Sequence, residues 1–143
     1  MSRGGGLARL SAPPQAEVAL AWAIAGPPLI VFAATRVRRG RLRLHAALMG
    51  ANVAIELAVF FSFKVLMAPG PRRHLLVALP FFKVHLAFAI TALAGLAWQL
   101  ASRAAPRLRP LHRHTGPYVV LVWCLALLTG IYNYVFLYLM SRS

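Results

Sequence analysis

Several histidines and one glutamate lie within or beside long apolar segments of the sequence. At about 100° per residue, helical spacing places His45, Asn52 and Glu56 within roughly 60° of one helix face. Ionisable side chains inside a membrane span are costly, turn toward the interior of a helix bundle and often mark function. We therefore expect Glu56 and Asn52 to support a buried site or to carry protons. The alternative is a polar seam that only fixes helix packing, through hydrogen bonds worth about 0.6 kcal/mol each.

His85, on the next apolar segment, is predicted to lie at the depth of Glu56. With a rise of about 1.5 Å per residue, Glu56 lies roughly 21 Å and His85 roughly 24 Å from the same membrane surface. Asn133, on the last segment, falls near this level and is assigned the same supporting or proton-linked role. A carboxylate that accepts from one imidazole nitrogen leaves the other free for a ligand or a proton. His45 differs from His85 by roughly 20 Å in depth, so the two are a poor axial pair for one haem.

The remaining candidates lie near the cytoplasmic surface. His45 is predicted about one turn inside that surface, and His112 and His114 come just before the last apolar segment. On a regular helix His112 and His114 would face nearly opposite ways, but Pro110 and Gly116 favour a loop in which the pair could chelate. Imidazole suits copper, zinc and haem iron. A cluster of these three histidines is therefore a candidate site, the alternative being histidines that meet lipid phosphates or helix ends.

The elements that must position these residues are predicted to be membrane helices. The chain has 143 residues, of which 60% are hydrophobic and only 13% charged, with a mean hydropathy of +0.69. This composition disfavours both a water-soluble globule and a disordered chain. The net charge of +14 could indicate nucleic-acid binding, but the basic residues lie between apolar runs, which indicates a membrane protein with basic loops. A lone cysteine excludes a disulfide scaffold and a Cys-based metal cluster.

The predicted fold is all-α, a single four-helix membrane bundle over residues 16–143 that follows a mobile tail over 1–15. The expected helices are about 17–35, 42–67, 75–102 and 117–140. The first and third loops carry nine arginines, against five basic residues outside the spans on the opposite side. The excess of positive charge on cytoplasmic loops predicts a multi-pass protein with both termini outside.

Short segments along most of the chain, from about Arg38 to Tyr138, resemble a known family. The matching pieces are Leu44–Met49, Gly70–Arg72, Phe81–His85 and His112–Gly116, followed by Trp123, Thr129, Gly130 and Tyr132. In their order and spacing they resemble the small bacterial membrane proteins of the domain of unknown function 420 (CtaM/YozB-like) family. The resemblance implies four membrane helices in the bacterial inner membrane, with His45, His85 and His112 as the family histidines. It also implies a link to haem–copper oxidases, because at least one relative is implicated in making such an oxidase functional.

The residues and the resemblance together lead to one functional expectation and two alternatives. We expect a non-enzymatic accessory or assembly factor of a respiratory haem–copper oxidase. Its intramembrane histidines would hold copper or haem, or contact an oxidase subunit. The first alternative is a b-type haem carrier that exchanges electrons with quinone. The second is a purely structural subunit of a larger complex. The expected partners are the lipid bilayer and an oxidase subunit, with self-association left open and no nucleic acid.

Overall fold

The computed structural model describes residues 12–66 and 80–140, and over these residues the chain is helical without strands. The four long helices are α1 (Pro14–Thr35), α2 (Leu42–Leu66), α3 (Pro80–Ala104) and α4 (Arg109–Tyr134). Short 3₁₀ turns connect α1 to α2 and α3 to α4, over Val37–Arg39 and Pro106–Leu108. A π-helical turn, Val135–Leu139, continues α4. The four long helices described are each long and apolar enough to cross a membrane.

The first helix begins earlier than expected and continues through two prolines. It begins at Pro14, where the ring sits in the first turn and no intrahelical donor is lost. Pro27 and Pro28 lie inside the helix without ending it. Proline is tolerated in apolar helices when the surrounding structure compensates the freed backbone groups. The expected mobile tail falls mostly on residues 1–11, which lie outside the described residues.

The last helix also begins earlier, at Arg109 instead of near residue 117. Pro110 sits in its first turn, where proline favours helix initiation. Pro117, which suggested a loop up to that point, lies inside the helix. His112 and His114 are therefore on a regular helix and not in the expected loop. Residues two apart on a helix face nearly opposite ways, so the two side chains do not chelate one metal ion as a loop would have allowed.

The helices pack in the spatial order α2, α1, α4, α3 among the described residues. Helix α1 packs against both α2 and α4, and α3 packs against α4. Helix α2 packs extensively against α1 alone, and most of its surface is exposed. The buried core lies between α1, α3 and α4 and consists of Trp22, Ala23, Ile30, Ala92, Leu96, Trp123, Ala126 and Leu127.

Small residues allow the close helix contacts in this core. At Gly95 on α3, an added Cβ would lie 3.0 Å from a Val119 methyl of α4. At Gly26 on α1, it would lie 2.8 Å from Cδ1 of Leu127. Small residues at such positions are the usual means by which membrane helices approach closely. Helix α4 is therefore held tightly on two sides, which positions the polar residues that it carries.

Candidate functional site

Glu56 connects three helices through one carboxylate oxygen. Its Oε2 accepts hydrogen bonds from Nε1 of Trp22 on α1 at 2.7 Å and from Nε1 of Trp123 on α4 at 2.9 Å. Both indoles are buried, and Trp123 is completely inaccessible. Indole N–H groups only donate, so Oε2 is the acceptor in both hydrogen bonds. The Oε1 oxygen makes no hydrogen bond with the described residues.

His85 is fixed on the adjacent side of α4. Its Nδ1 lies 3.0 Å from the carbonyl oxygen of Ala126 and 3.2 Å from Oγ1 of Thr129. Because a carbonyl oxygen only accepts, Nδ1 carries the hydrogen in this arrangement. In the neutral imidazole Nε2 then has a free lone pair. Glu56 is bonded to Trp123 of α4 and His85 to Ala126, three residues further along the same helix, which is about 4.5 Å.

Gly130 makes room for the His85 ring. A Cβ at this position would lie 3.3 Å from Cε1 of His85, which is tighter than an ordinary contact. The ring centroid of Phe82, three residues earlier on α3, is 6.5 Å from that of the imidazole. The imidazole therefore lies against the backbone of α4 with an aromatic ring nearby, in a half-buried setting.

His45 shows the same arrangement at a different level. Its Nδ1 lies 3.0 Å from the carbonyl oxygen of Ala33, which ties α2 to α1 and leaves Nε2 as the second nitrogen. His45 and Glu56 are eleven residues apart on α2, which is about 16 Å along the helix. His45 and His85 therefore belong to two separate sites.

His112 is engaged by α3. Its Nδ1 lies 3.1 Å from the carbonyl oxygen of Gln99 and 3.5 Å from Oγ of the buried Ser102. The side-chain amide of Gln99 fits better when rotated by 180°, and it then lies 2.7 Å from the same nitrogen. In either orientation of the Gln99 amide, Nδ1 of His112 has a hydrogen-bond partner, whereas Nε2 makes no hydrogen bond with the described residues.

His114 differs from the other three candidate histidines, His45, His85 and His112. It is exposed, and it lies two residues after His112 on α4, so the side chains point in nearly opposite directions. Among the residues that the structure describes, no group of three or more His, Cys, Asp or Glu side chains could hold a metal ion. The structure does not bring His45, His112 and His114 together as such a group.

Both asparagines assigned supporting roles are buried. Asn52 is 5% exposed and Asn133 is 6% exposed. Neither amide atom of Asn133 has a hydrogen-bond partner within residues 12–66 and 80–140. Buried polar groups are usually paired, so an unpaired amide needs an explanation such as a bound ligand or a water molecule. Asn133 lies one helical turn beyond Gly130, beside the His85 site.

The tryptophan partners of Glu56 were not predicted from the sequence. A half-buried carboxylate among apolar helices needs donors, and an indole N–H is one of the few donors that an apolar helix can offer. The sequence has three tryptophans, however, and Trp98 donates elsewhere, to Oγ1 of Thr115 at 3.2 Å. Only the packing of α1 against α4 shows that Trp22 and Trp123 are the two that converge.

The chain was also compared with known proteins. Scans against protein-family models, curated proteins and solved structures each give no match.

Proposed function

We propose that this protein is an accessory or assembly factor of a respiratory haem–copper oxidase in the bacterial inner membrane, and that its histidines hold copper or haem through Nε2. The observation that carries the ligand-binding part is the way His45 and His85 are fixed. Each directs Nδ1 to a backbone carbonyl of a neighbouring helix. Histidines that bind metals nearly always donate their second ring N–H in this way.

The His85 site supports either ligand. Haem brings four ring nitrogens of its own, so a single imidazole can serve as its axial ligand. Copper needs further protein ligands, and the candidate is the carboxylate of Glu56, which is bonded to Trp123 three residues before the His85 partner Ala126 on α4. Because the site lies among apolar side chains, the bound group would be shielded from water, which influences its redox potential.

The oxidase partner is supported by the resemblance of the histidine segments to the domain of unknown function 420 family. The placement in the membrane is supported by the four long apolar helices of the described residues. The arginine excess in the first and third loops supports an orientation with both termini outside. The orientation presupposes the membrane placement, whereas the oxidase partner rests on the resemblance alone.

The decisive experiment is an optical spectrum with elemental analysis of the gently solubilised protein. The variants are His85→Asn and His45→Asn, because the asparagine amide keeps a donor near the position of Nδ1 and removes Nε2. His114→Asn is the matched control, since His114 is exposed and makes none of these contacts. We expect wild type and the control to contain copper or haem, and at least one of the other variants to lose it and to lower oxidase activity in cells.

Two results would overturn the proposal. One is a purified wild-type protein without copper or haem, together with normal oxidase activity in both variants. The other is a loss of copper or haem in the His114→Asn control equal to the loss in the His85→Asn and His45→Asn variants. If the wild-type protein has a Soret band, the His→Asn substitutions remove it and oxidase assembly is unaffected, the b-type haem carrier is favoured instead. Lower assembly yield with no change in metal content or activity would favour the structural subunit.

A further inference from the structure

Nine arginines gather at one end of the molecule, in and beside the two 3₁₀ connections. Because four successive spans alternate in direction, the first and third connections lie at the same end. All but one of these side chains are exposed. We call this set the arginine surface: Arg36, Arg38, Arg39, Arg41, Arg43, Arg103, Arg107, Arg109 and Arg113.

The chain has no carboxylate to neutralise this surface. It contains only two acidic residues. Glu17 lies in the first turn of α1, at the opposite end, and Glu56 is bonded to two indoles within the helices. Like charges at this density repel one another and destabilise a compact arrangement. The surface therefore needs anions from outside the chain.

The basic residues at this end are all arginine. Both lysines of the chain, Lys64 and Lys83, lie in the outer halves of their helices, away from the surface. Arginine offers a planar fork of donors that matches two oxygens of one phosphate, whereas lysine acts as a point charge. This choice of residue indicates phosphate groups as the anions.

Exposed apolar side chains lie among the arginines. Leu42, Leu44 and Leu111 are 59%, 38% and 43% exposed, respectively. Arg36 folds back along α1, with its guanidinium carbon 3.7 Å from the centroid of the Phe32 ring. Basic residues mixed with exposed apolar ones are typical of a surface at the level of lipid head groups. A nucleic-acid surface has no need of leucines facing outward.

We propose that the arginine surface binds the phosphate groups of acidic phospholipids. The inference rests on the membrane placement proposed above and is independent of any copper or haem. Each arginine near a membrane surface strengthens binding to acidic lipid by about 1 kcal/mol, or about fivefold. Removing two arginines should therefore weaken binding about 25-fold.

The test is native mass spectrometry of the full chain in detergent, titrated with phosphatidylglycerol or with phosphatidylcholine of the same acyl chains. The test variant is Arg107→Gln/Arg109→Gln. The matched control is Arg72→Gln/Arg73→Gln, which removes the same charge from the part of the sequence between α2 and α3. Parallel titrations use inorganic phosphate and a 20-nucleotide single-stranded RNA. Circular dichroism checks that each variant keeps its helix content.

We expect phosphatidylglycerol to bind at least about 25-fold more tightly than phosphatidylcholine, as two basic side chains alone would provide. The test variant should lose about 25-fold in affinity for the acidic lipid, and the control less than twofold. An Arg107→Lys/Arg109→Lys variant keeps the charge and should lose less affinity for the acidic lipid than the glutamine variant. It also provides the test if the glutamine variant fails to fold. Any of three results would overturn the proposal. The two lipids could bind equally, the test and control variants could lose equal affinity for the acidic lipid, or free phosphate or RNA could displace the lipid.

Discussion

A Glu56→Gln substitution tests whether the carboxylate–indole cluster holds α2 against α1 and α4. Glutamine keeps the shape and one acceptor oxygen but removes the charge. Hydrogen bonds to a charged group are worth about 1.5–3 kcal/mol and neutral ones about 0.5–1.5 kcal/mol, so each of the two bonds should weaken by about 1 kcal/mol. Since Oε2 accepts from both Trp22 and Trp123, we expect the free energy of unfolding to fall by about 2 kcal/mol.

The assay is unfolding of the detergent-solubilised protein in increasing dodecyl sulfate, followed by circular dichroism and by tryptophan fluorescence. Glu17→Gln is the matched control, because it removes the chain's other carboxylate from an exposed position. A double-mutant cycle with Trp123→Phe should show strong coupling to Glu56→Gln, because the two residues are bonded directly. Equal effects of the two glutamine substitutions, or additivity in the cycle, would refute the reasoning.

Two further predictions concern the packing and the unpaired amide. Replacing glycine by alanine inside a helix favours the helical state by about 1 kcal/mol, so Gly95→Ala and Gly50→Ala should gain equally from this effect. Only the new Cβ at position 95 meets a neighbour, a methyl of Val119 at 3.0 Å. The unfolding free energy of Gly95→Ala should therefore fall about 1–3 kcal/mol below that of Gly50→Ala, and equal values would contradict the close contact. Asn133→Leu should raise the unfolding free energy of the ligand-free protein by about 1–3 kcal/mol, because both amide atoms are buried without partners. A loss of stability on the same scale would show that the amide is paired in solution.

The sequence predicted the helices better than their order in space. The apolar segments gave four helices, and the start of α2 at Leu42 agrees with the expectation. The early start of α4 was missed because Pro110 and Pro117 each suggest a break, although proline in a first turn favours a helix. The order α2, α1, α4, α3 depends on which faces interlock, and small residues such as Gly26 and Gly95 show this only when their partners are known.

The depth of Glu56 and of His85 in the bundle is predicted from the rise per residue and the direction of each helix alone. Their hydrogen-bond partners could not be predicted, because these depend on rotation about the helix axes. A bond from an imidazole to the Glu56 carboxylate was one possibility, whereas in the structure Glu56 accepts from two indoles. His85 donates to the carbonyl of Ala126 instead.

The polar contacts of this protein serve packing and leave ligand atoms free at the same time. His45 joins α2 to α1 and His85 joins α3 to α4, each through Nδ1. Glu56 joins α2 to α1 and α4 through Oε2. The second polar atom of each residue, Nε2 of the histidines and Oε1 of Glu56, makes no hydrogen bond with the described residues. Under the proposed function these are the atoms that a ligand would meet, so a substitution that keeps the helix-joining bond and removes the second atom separates packing from ligand binding.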